Sequence, residues 1–533
     1  MTQSWYHIVV VGTELAGLVY AALAARAGYR VLVIGQGDRP NAYKREGFWF
    51  LRRSELYFGF ATSPAVMRAL SELSLGLEMK NRPQPLEPAF QVAMPGMRLD
   101  VGGVRRLWER DLERELPGSL AHFDAFEHEA AAITRASHGL TGPGLRATPS
   151  VARGLGIDKA APMDGLMLPP RGLREKASFK RLGEDLDGLR AGEGDVRRDL
   201  LGERFEDDRA RAVIEAPLSH FSGVHAARLA PVSVARLWTH LRAGLHRFPG
   251  GLDGLKQVFI RKVKDLSCDY RADAFAQRLV MKRGKVTEVV LAERGEAIGC
   301  DLVVGNVEPH RVMSLIGPDD RDEGWHALVT GREPVAWRLV VNLGVDARVL
   351  PRGMAPELVW VRDGRERLTG DNNLWISRPG IGPHSGGDGR PGPGVMQVSA
   401  LLEARAATPT LGGIQRTVTL AVDAVRGLVP WLDEHLKVVD VPALKPQLRD
   451  GKAVEPIIDL DELQPVYGEA LPDTLGLSAF SPETPYKNMI LTGDQLFAGL
   501  GFEGACLSAL QAIAHTQERV KLRSGLRGDR SLV

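Results

Sequence analysis

The opening stretch of the chain admits few folds. His7-Ile-Val-Val-Val11 is an apolar, β-branched run and Gly12-Thr-Glu-Leu-Ala-Gly17 a glycine turn; an Ala/Leu-rich segment reaches Ala27, and Tyr29-Arg-Val-Leu-Val-Ile34 is a second apolar run. That order predicts strand, turn, helix and strand, with both strands parallel and buried. Such a unit rests a diphosphate on the helix N-terminus when its turn reads G-x-G-x-x-G. The first glycine turns the chain, the second lets the backbone approach phosphate, and the third lets the helix pack on the strand. Gly12 and Gly17 match the first and third. Glu14 stands at the second.

A glutamate there brings bulk and negative charge to the place a cofactor diphosphate would take, and two anions share such a spot only at a cost. Two readings stand. In one, the carboxylate plugs the hole, stabilised by the free N–H groups and dipole of the helix by about 0.3–1 kcal/mol. In the other, the cofactor site is shifted but works. A ribose-binding acid is expected at the end of the second strand, yet Gly35-Gln36 stands there. Gln36 reads more readily as a surface turn residue than as a ribose partner.

The far end of the chain keeps more of a cofactor pattern. Asn488-Met-Ile-Leu-Thr-Gly-Asp494 is an apolar strand ending in Gly-Asp, and Gly499-Leu-Gly-Phe-Glu-Gly-Ala505 opens an Ala/Leu helix running to about Val520. This stretch resembles the C-terminal flavin motif of the amine oxidase and phytoene desaturase superfamily of FAD enzymes. The resemblance implies that Gly493, Asp494, Gly504 and Ala505 bind FAD. The aspartate would hold the ribityl chain, and the helix N-terminus would face the pyrimidine edge and stabilise the reduced flavin anion.

The middle is similar in order as well. Phe248-Pro-Gly-Gly-Leu252, a helix to about Val263, a strand Ala274–Met281, the turn Arg283-Gly-Lys285, a strand Val286–Leu291 and then Cys300–Pro309 follow one another. By resemblance Phe275 lies against the adenine; by residue type alone it is a core aromatic on an alternating strand. After its second strand the superfamily continues with an acidic–basic pair and a double glycine beside the diphosphate. Asp38-Arg39-Pro40 keeps the pair, but Asn41-Ala42-Tyr43 puts side chains where the glycines would be. Arg39 is a candidate phosphate partner, although a solvated arginine is the commoner outcome in a polar turn. The flavin side is kept while the ADP side is eroded. Rab escort and GDP-dissociation-inhibitor proteins, similar in fold, have lost catalysis and kept a lipid-binding role, though they retain the second glycine that this chain lacks.

These blocks predict an α/β fold. A Rossmann-type FAD/NAD(P)-binding domain is expected from residues 1–72, 246–323 and 469–525, a discontinuous α+β substrate domain from 73–245 and 324–468, and a C-terminal tail from 526–533. Within the substrate domain the patterning predicts a helix over Gly118–Ala136, strands over Val335–Leu343 and Gly394–Leu402, and a Gly/Pro-rich surface loop over Pro379–Pro393. The aromatic cluster Gly47-Phe-Trp-Phe50 and Tyr57-Phe58-Gly-Phe60 stands out in a chain with 6% aromatic residues. It reads as the wall of a cavity for an apolar ligand, with plain core packing the alternative for each ring.

Composition narrows the function. A net charge of +2, with no basic run interleaved with aromatics, leaves nucleic-acid binding without an electrostatic footprint. The three cysteines, Cys268, Cys300 and Cys506, have no metal-ligand spacing and suit a reducing compartment. The N-terminus opens straight into a strand and no long apolar run follows, which predicts a cytoplasmic protein and leaves peripheral membrane contact open. His7, His220, His225, His240, His246 and His310 are scattered, and no catalytic acid or base is legible. The leading expectation is an FAD-dependent oxidoreductase acting on an apolar or amine-bearing substrate by hydride transfer to the flavin. The alternative is a non-catalytic protein of the same fold, its cofactor site plugged by Glu14, that binds a lipid-like ligand or a protein partner. NAD(P) in place of FAD meets the same obstacle.

Overall fold

A computed structural model describes residues 4–138, 199–380, 393–403, 408–467 and 480–521, apart from a few isolated positions within those ranges. Its main elements in chain order are β1 (Trp5–Val11), α1 (Leu15–Arg26), β2 (Val31–Ile34), β3 (Phe90–Met94), β4 (Met97–Val101), α2 (Asp208–Ser222), α3 (Gly251–Asp265), β5 (Asp269–Arg271), β6 (Ala276–Lys282), β7 (Lys285–Leu291), β8 (Ala297–Gly305), β9 (Ala336–Asp346), β10 (Glu357–Val361), β11 (Asn373–Ser377), β12 (Pro393–Glu403), α4 (Leu411–Leu428), β13 (Leu436–Asp440), β14 (Gln464–Val466), β15 (Met489–Leu491) and α5 (Gly501–Arg519). Two sheets organise them.

The first sheet runs β6-β7-β8-β1-β2-β5, with β15 added alongside β8. Its centre is parallel: Val11 lies beside Gly305 and Ile34, and Gly305 beside Leu491. The chain therefore reaches the same sheet edge four times, at Gly12, Gly35, Asn306 and Thr492. Ligands of open α/β sheets bind at such carboxyl ends. The central strands are continuous Val/Ile/Leu runs and are buried along most of their length, as parallel strands are. Helix α1 is buried too, Leu15 to Ala24 without a break, and packs against α3 and α5. Its one buried hydroxyl, Tyr20, is 2.7 Å from Thr516 Oγ1 on α5, which meets the hydrogen-bonding need of a phenol inside an apolar layer.

The second sheet runs β13-β9-β12-β11-β10-β3-β4, and β14 pairs with the start of β9. Its antiparallel spine is β9 against β12, from Ala336–Glu403 to Asp346–Pro393. Ile414, Ala421 and Val425 of α4 bury against it, spaced to fall on one side of the helix. The strands expected over Val335–Leu343 and Gly394–Leu402 are these two, each a few residues longer. The helix expected from Gly118 begins at Leu120 and reaches His138, because Gly118 adopts a φ of +79° in the preceding turn. Most of the Gly/Pro-rich loop Pro379–Pro393 and the whole tail 526–533 lie outside the described residues.

The aromatic cluster does not wall a cavity. Phe48 and Phe50 are buried with Val438 of the second sheet, and Phe48 fills the space over Gly344, where a Cβ would come within 2.9 Å of its ring. Tyr57 and Phe58 belong to the main core. Alternation along short strands places such rings between layers, and packing rather than ligand contact accounts for them. Among the described residues no helix is long and apolar enough to cross a membrane.

Candidate functional site

At the shared sheet edge, Asn306 ties the segments together. Its amide donates to Val11 O at 2.8 Å, and its side-chain Nδ2 donates to Glu14 O at 2.9 Å. The two glycines of the first turn are needed for that contact. A Cβ on Gly12, whose φ is +112°, would meet Asn306 O at 2.4 Å, and one on Gly17 would meet Asn306 Nδ2 at 2.2 Å.

Glu14 itself does not cap α1: it occupies the N-cap position with no side-chain cap hydrogen bond. The expected plug through the helix amides is thereby corrected. The carboxylate turns instead to two cations, Arg53 Nη1 at 3.1 Å and Lys256 Nζ at 3.0 Å, because fixed opposite charges outbid partial ones. Lys256 reaches in from α3, is nearly buried, and also holds Asp38 at 2.6 Å, while Thr13 Oγ1 donates to Asp38 at 3.1 Å. Burial alone would raise the Glu14 pKa, but Lys256 and Arg53 hold it down at about 2. Asp38 is raised by burial and by the nearby Glu14 charge. Burial pulls the Lys256 pKa down, but the Glu14 and Asp38 carboxylates outweigh it and raise it above the ordinary lysine value.

The neighbouring positions are likewise taken by the protein's own groups. The backbone N–H groups of Asn41 and Ala42 both donate to the Asp253 carboxylate, at 2.9 and 3.0 Å. The Asn41 side chain turns inward to Arg53 O and to Glu55, 2.6 Å away. Arg39 stays largely solvated, its side chain 45% exposed, and pairs with Glu462 at 2.7 Å and Asp459 at 3.1 Å. Gln36 is not a loose surface residue: its Oε1 accepts from Ala276 N at 2.7 Å, and its Nε2 donates to Ala276 O at 3.4 Å. Gly35 is required, because a Cβ there would fall 1.8 Å from Ala272 O. Phe275 is not a core residue; at 42% exposure it stands beside Gly37, whose Cβ position is 3.2 Å from its ring.

The opposite end of the edge is built differently. Gly493 takes φ +144°, and its N–H donates to Ser508 Oγ at 2.9 Å. Asp494 opens a single 3-10 turn after it, Gly499 adopts a φ of +83° ahead of α5, and Gly501, the helix's first residue, a φ of +51°. Gly504 lets α5 close on the Phe497 carbonyl, where a Cβ would come within 2.7 Å, and Ala505 is buried behind it. In the first turn of α5, Glu503 is wholly buried, with Arg236 Nη2 at 2.5 Å and His240 Nε2 at 2.9 Å. Burial pushes this carboxyl up, but Arg236 and then His240 outweigh it and hold it well below the usual carboxylate range. Sequence reading did not link these residues. The only signal was an acid in a helix's first turn, and its partners lie more than 260 positions away.

Between the two ends runs a cavity of about 520 Å³, within the size range of small-molecule sites. Gly12, Glu14, Asp38, Lys256, Gly493 and Gly501 line it together, so the N-terminal turn, α3 and the C-terminal segment meet there. Phe275, Gly17, Gly504 and Ala505 do not face it. Its far wall comes from the second sheet and α2, through Trp337, Arg338, His220 and Phe221.

The comparisons with known proteins agree with this architecture. Residues 10–73 match the NAD(P)-binding Rossmann-like domain family. Over 308 residues the chain is 25% identical to the hydroxyneurosporene desaturase of Rhodobacter capsulatus, a match covering 57% of this chain and 56% of that relative, little more than half its length. An oxidoreductase from Methanosarcina mazei superposes with a TM-score of 0.55 at 13% identity, covering 95% of this chain and 99% of the other. Cyclohexylamine oxidase from Brevibacterium oxydans gives 0.53 at 12%, covering 96% and 100%. The Rab GDI of Plasmodium falciparum gives 0.50 at 12%, covering 98% and 100%. The protein is thus an α/β protein built around a Rossmann-like domain. Its overall fold is the one seen in the Methanosarcina mazei oxidoreductase and in cyclohexylamine oxidase.

FAD meets this site unevenly. At the C-terminal end Gly493, Gly499 and Gly501 line the cavity, and no ion pair of the described residues occupies it. At the ADP end the Glu14 carboxylate stands in the diphosphate position and the amides of Asn41 and Ala42 are already bonded to Asp253, so the residues present do not fit a diphosphate.

Proposed function

We propose that this protein is a non-catalytic member of the fold, which holds an organic ligand in the flavin-facing part of its cavity without a bound dinucleotide. The observation that carries this reading is the compensated network at the ADP end: Glu14, Asp38, Lys256 and Arg53 form two acids and two bases with no net charge left for a diphosphate. A single unmatched glutamate would be an obstacle; one matched by a nearly buried lysine is an alternative occupant of the site. The visible absorption spectrum of the purified protein tests it. The protein should be colourless and remain so after incubation with FAD and desalting, whereas Glu14→Gly should retain measurable flavin. Flavin bands at about 370 and 450 nm in the unmodified protein would overturn the reading.

The second reading, an FAD-dependent oxidoreductase acting on apolar or amine-bearing substrates, is favoured by the retained glycine geometry at Gly493, Gly499 and Gly501 and by the similarity to a desaturase. Under it the protein is yellow as purified, and Asp494→Ala strips the colour.

A further inference from the structure

The far wall of the cavity holds a cation that the protein does not neutralise. Arg338, on β9, faces the cavity, and no carboxylate pairs with it among the described residues. Its guanidinium is held in place by neutral groups: Nη1 donates to His220 Nε2 at 2.8 Å, and Nη2 donates to His220 O at 2.6 Å. The Nε–H has no partner among the described residues. Because a guanidinium can only donate, His220 Nε2 must accept, which puts the imidazole proton on Nδ1. That Nδ1–H is buried and also has no partner. The acids lining the cavity, Glu14, Asp38, Glu308, Asp461 and Glu462, serve Lys256, Arg53, Arg311 and Arg39 instead. Two other inward-facing cations, Arg236 and Lys256, are matched to acids. A secluded charge without a counterion is costly, and such groups are ordinarily paired.

We infer that Arg338, oriented by His220, anchors the carboxylate of an organic ligand in this cavity. The inference rests on the reading that the cavity holds such a ligand, and it names the ligand's class. A guanidinium presents its donors in a plane that matches a carboxylate. A single cation suits a monoanion better than a phosphate dianion. Burial draws the Arg338 pKa down to about 10, which leaves the group charged at neutral pH. Phe221, Val466 and Phe497 line the same cavity and give the ligand's hydrocarbon part an apolar seat.

Isothermal titration of the full chain at pH 7 with octanoate, octanol and inorganic phosphate tests this. Octanoate should bind at one site at least tenfold more tightly than octanol, and phosphate should neither bind nor compete. Arg338→Met should erase the preference for octanoate over octanol, and Arg338→Lys should restore part of it. Equal affinity for octanoate and octanol in the unmodified protein overturns the anchor, and that comparison needs no variant to fold. Competition by phosphate also overturns it, in favour of a general oxyanion site. The absorption spectrum separates the two failures: a colourless protein with no octanoate preference loses only the anchor, whereas a yellow one loses the reading beneath it.

Discussion

Replacing Lys256 tests the carboxylate network most sharply. Its side chain is 8% exposed, 3.0 Å from Glu14 and 2.6 Å from Asp38. Lys256→Met keeps the apolar stem but leaves two carboxylates facing each other, with Arg53 alone to balance them. Removing one partner of a buried pair costs about 3–5 kcal/mol. The two carboxylates are 29% and 27% exposed, so the lower end, about 3 kcal/mol, applies. The proton equilibrium gives a similar figure. Glu14 is held at about 2 against an ordinary 4.5 by Lys256 and Arg53 together, and at about 1.36 kcal/mol per pKa unit that depression is worth about 3 kcal/mol, of which Lys256, the stronger of the two, supplies the larger part. With an unfolding entropy of about 2.1 cal/mol/K per residue over 533 residues, such a loss lowers Tm by about 3 °C. The sign with pH follows from a lowered acid. Its contribution is complete above about pH 4.5 and is lost as the pH falls through about 2, so the gap between the two proteins should shrink to about half near pH 3. Thermal unfolding followed by circular dichroism at pH 7 and pH 3 reads both quantities. An unchanged Tm at pH 7, or a gap that does not narrow at pH 3, would refute the reasoning.

Glu503→Gln keeps the side chain's shape but leaves Arg236 buried without its counterion, and should cost about 3–5 kcal/mol. Because the Glu503 carboxyl is lowered in the folded protein, this contribution is present above about pH 4.5 and is lost only as acid takes the pH through its folded value; calorimetry at pH 7 should show the full loss. Gly17→Ala drives a Cβ onto the Asn306 side chain and should destabilise by about 1–3 kcal/mol, as overpacking does. Adding Asn306→Ala should recover part of that loss in a double-mutant cycle, and strict additivity of the two changes would show that the clash is not the cause.

How much of this was legible beforehand depends on the range of the interaction. The βαβ unit, the C-terminal strand-turn-helix and the long strands of the second sheet could be read because hydrophobic periodicity and glycine spacing are local. Glu14 was legible as a departure from its turn pattern, but its partners were not. Arg53 is 39 positions away and Lys256 lies on a helix from the middle of the chain, and no short-range pattern encodes either pairing. Phe275 and the aromatic cluster went the other way, since residue type predicts burial only on average. The ring expected to be buried is exposed, and the rings expected to face a ligand lie between layers. Arg338 carried no motif, and its isolation is visible only once every carboxylate around it has been assigned to another cation.

The placement of α1 bears on how the chain is made. This helix is apolar on every side and is covered by α3 and α5, which lie some hundreds of residues further on. At about 5–20 residues per second, the interval between the emergence of α1 and the completion of α5 is about 25–100 s. Strand β8 waits through roughly the last third of that period for β15 to join its edge. Until the last helix leaves the ribosome, the nascent chain carries an apolar strand-helix-strand unit without its covering helices, which gives chaperones that bind greasy surface a long window in which to act.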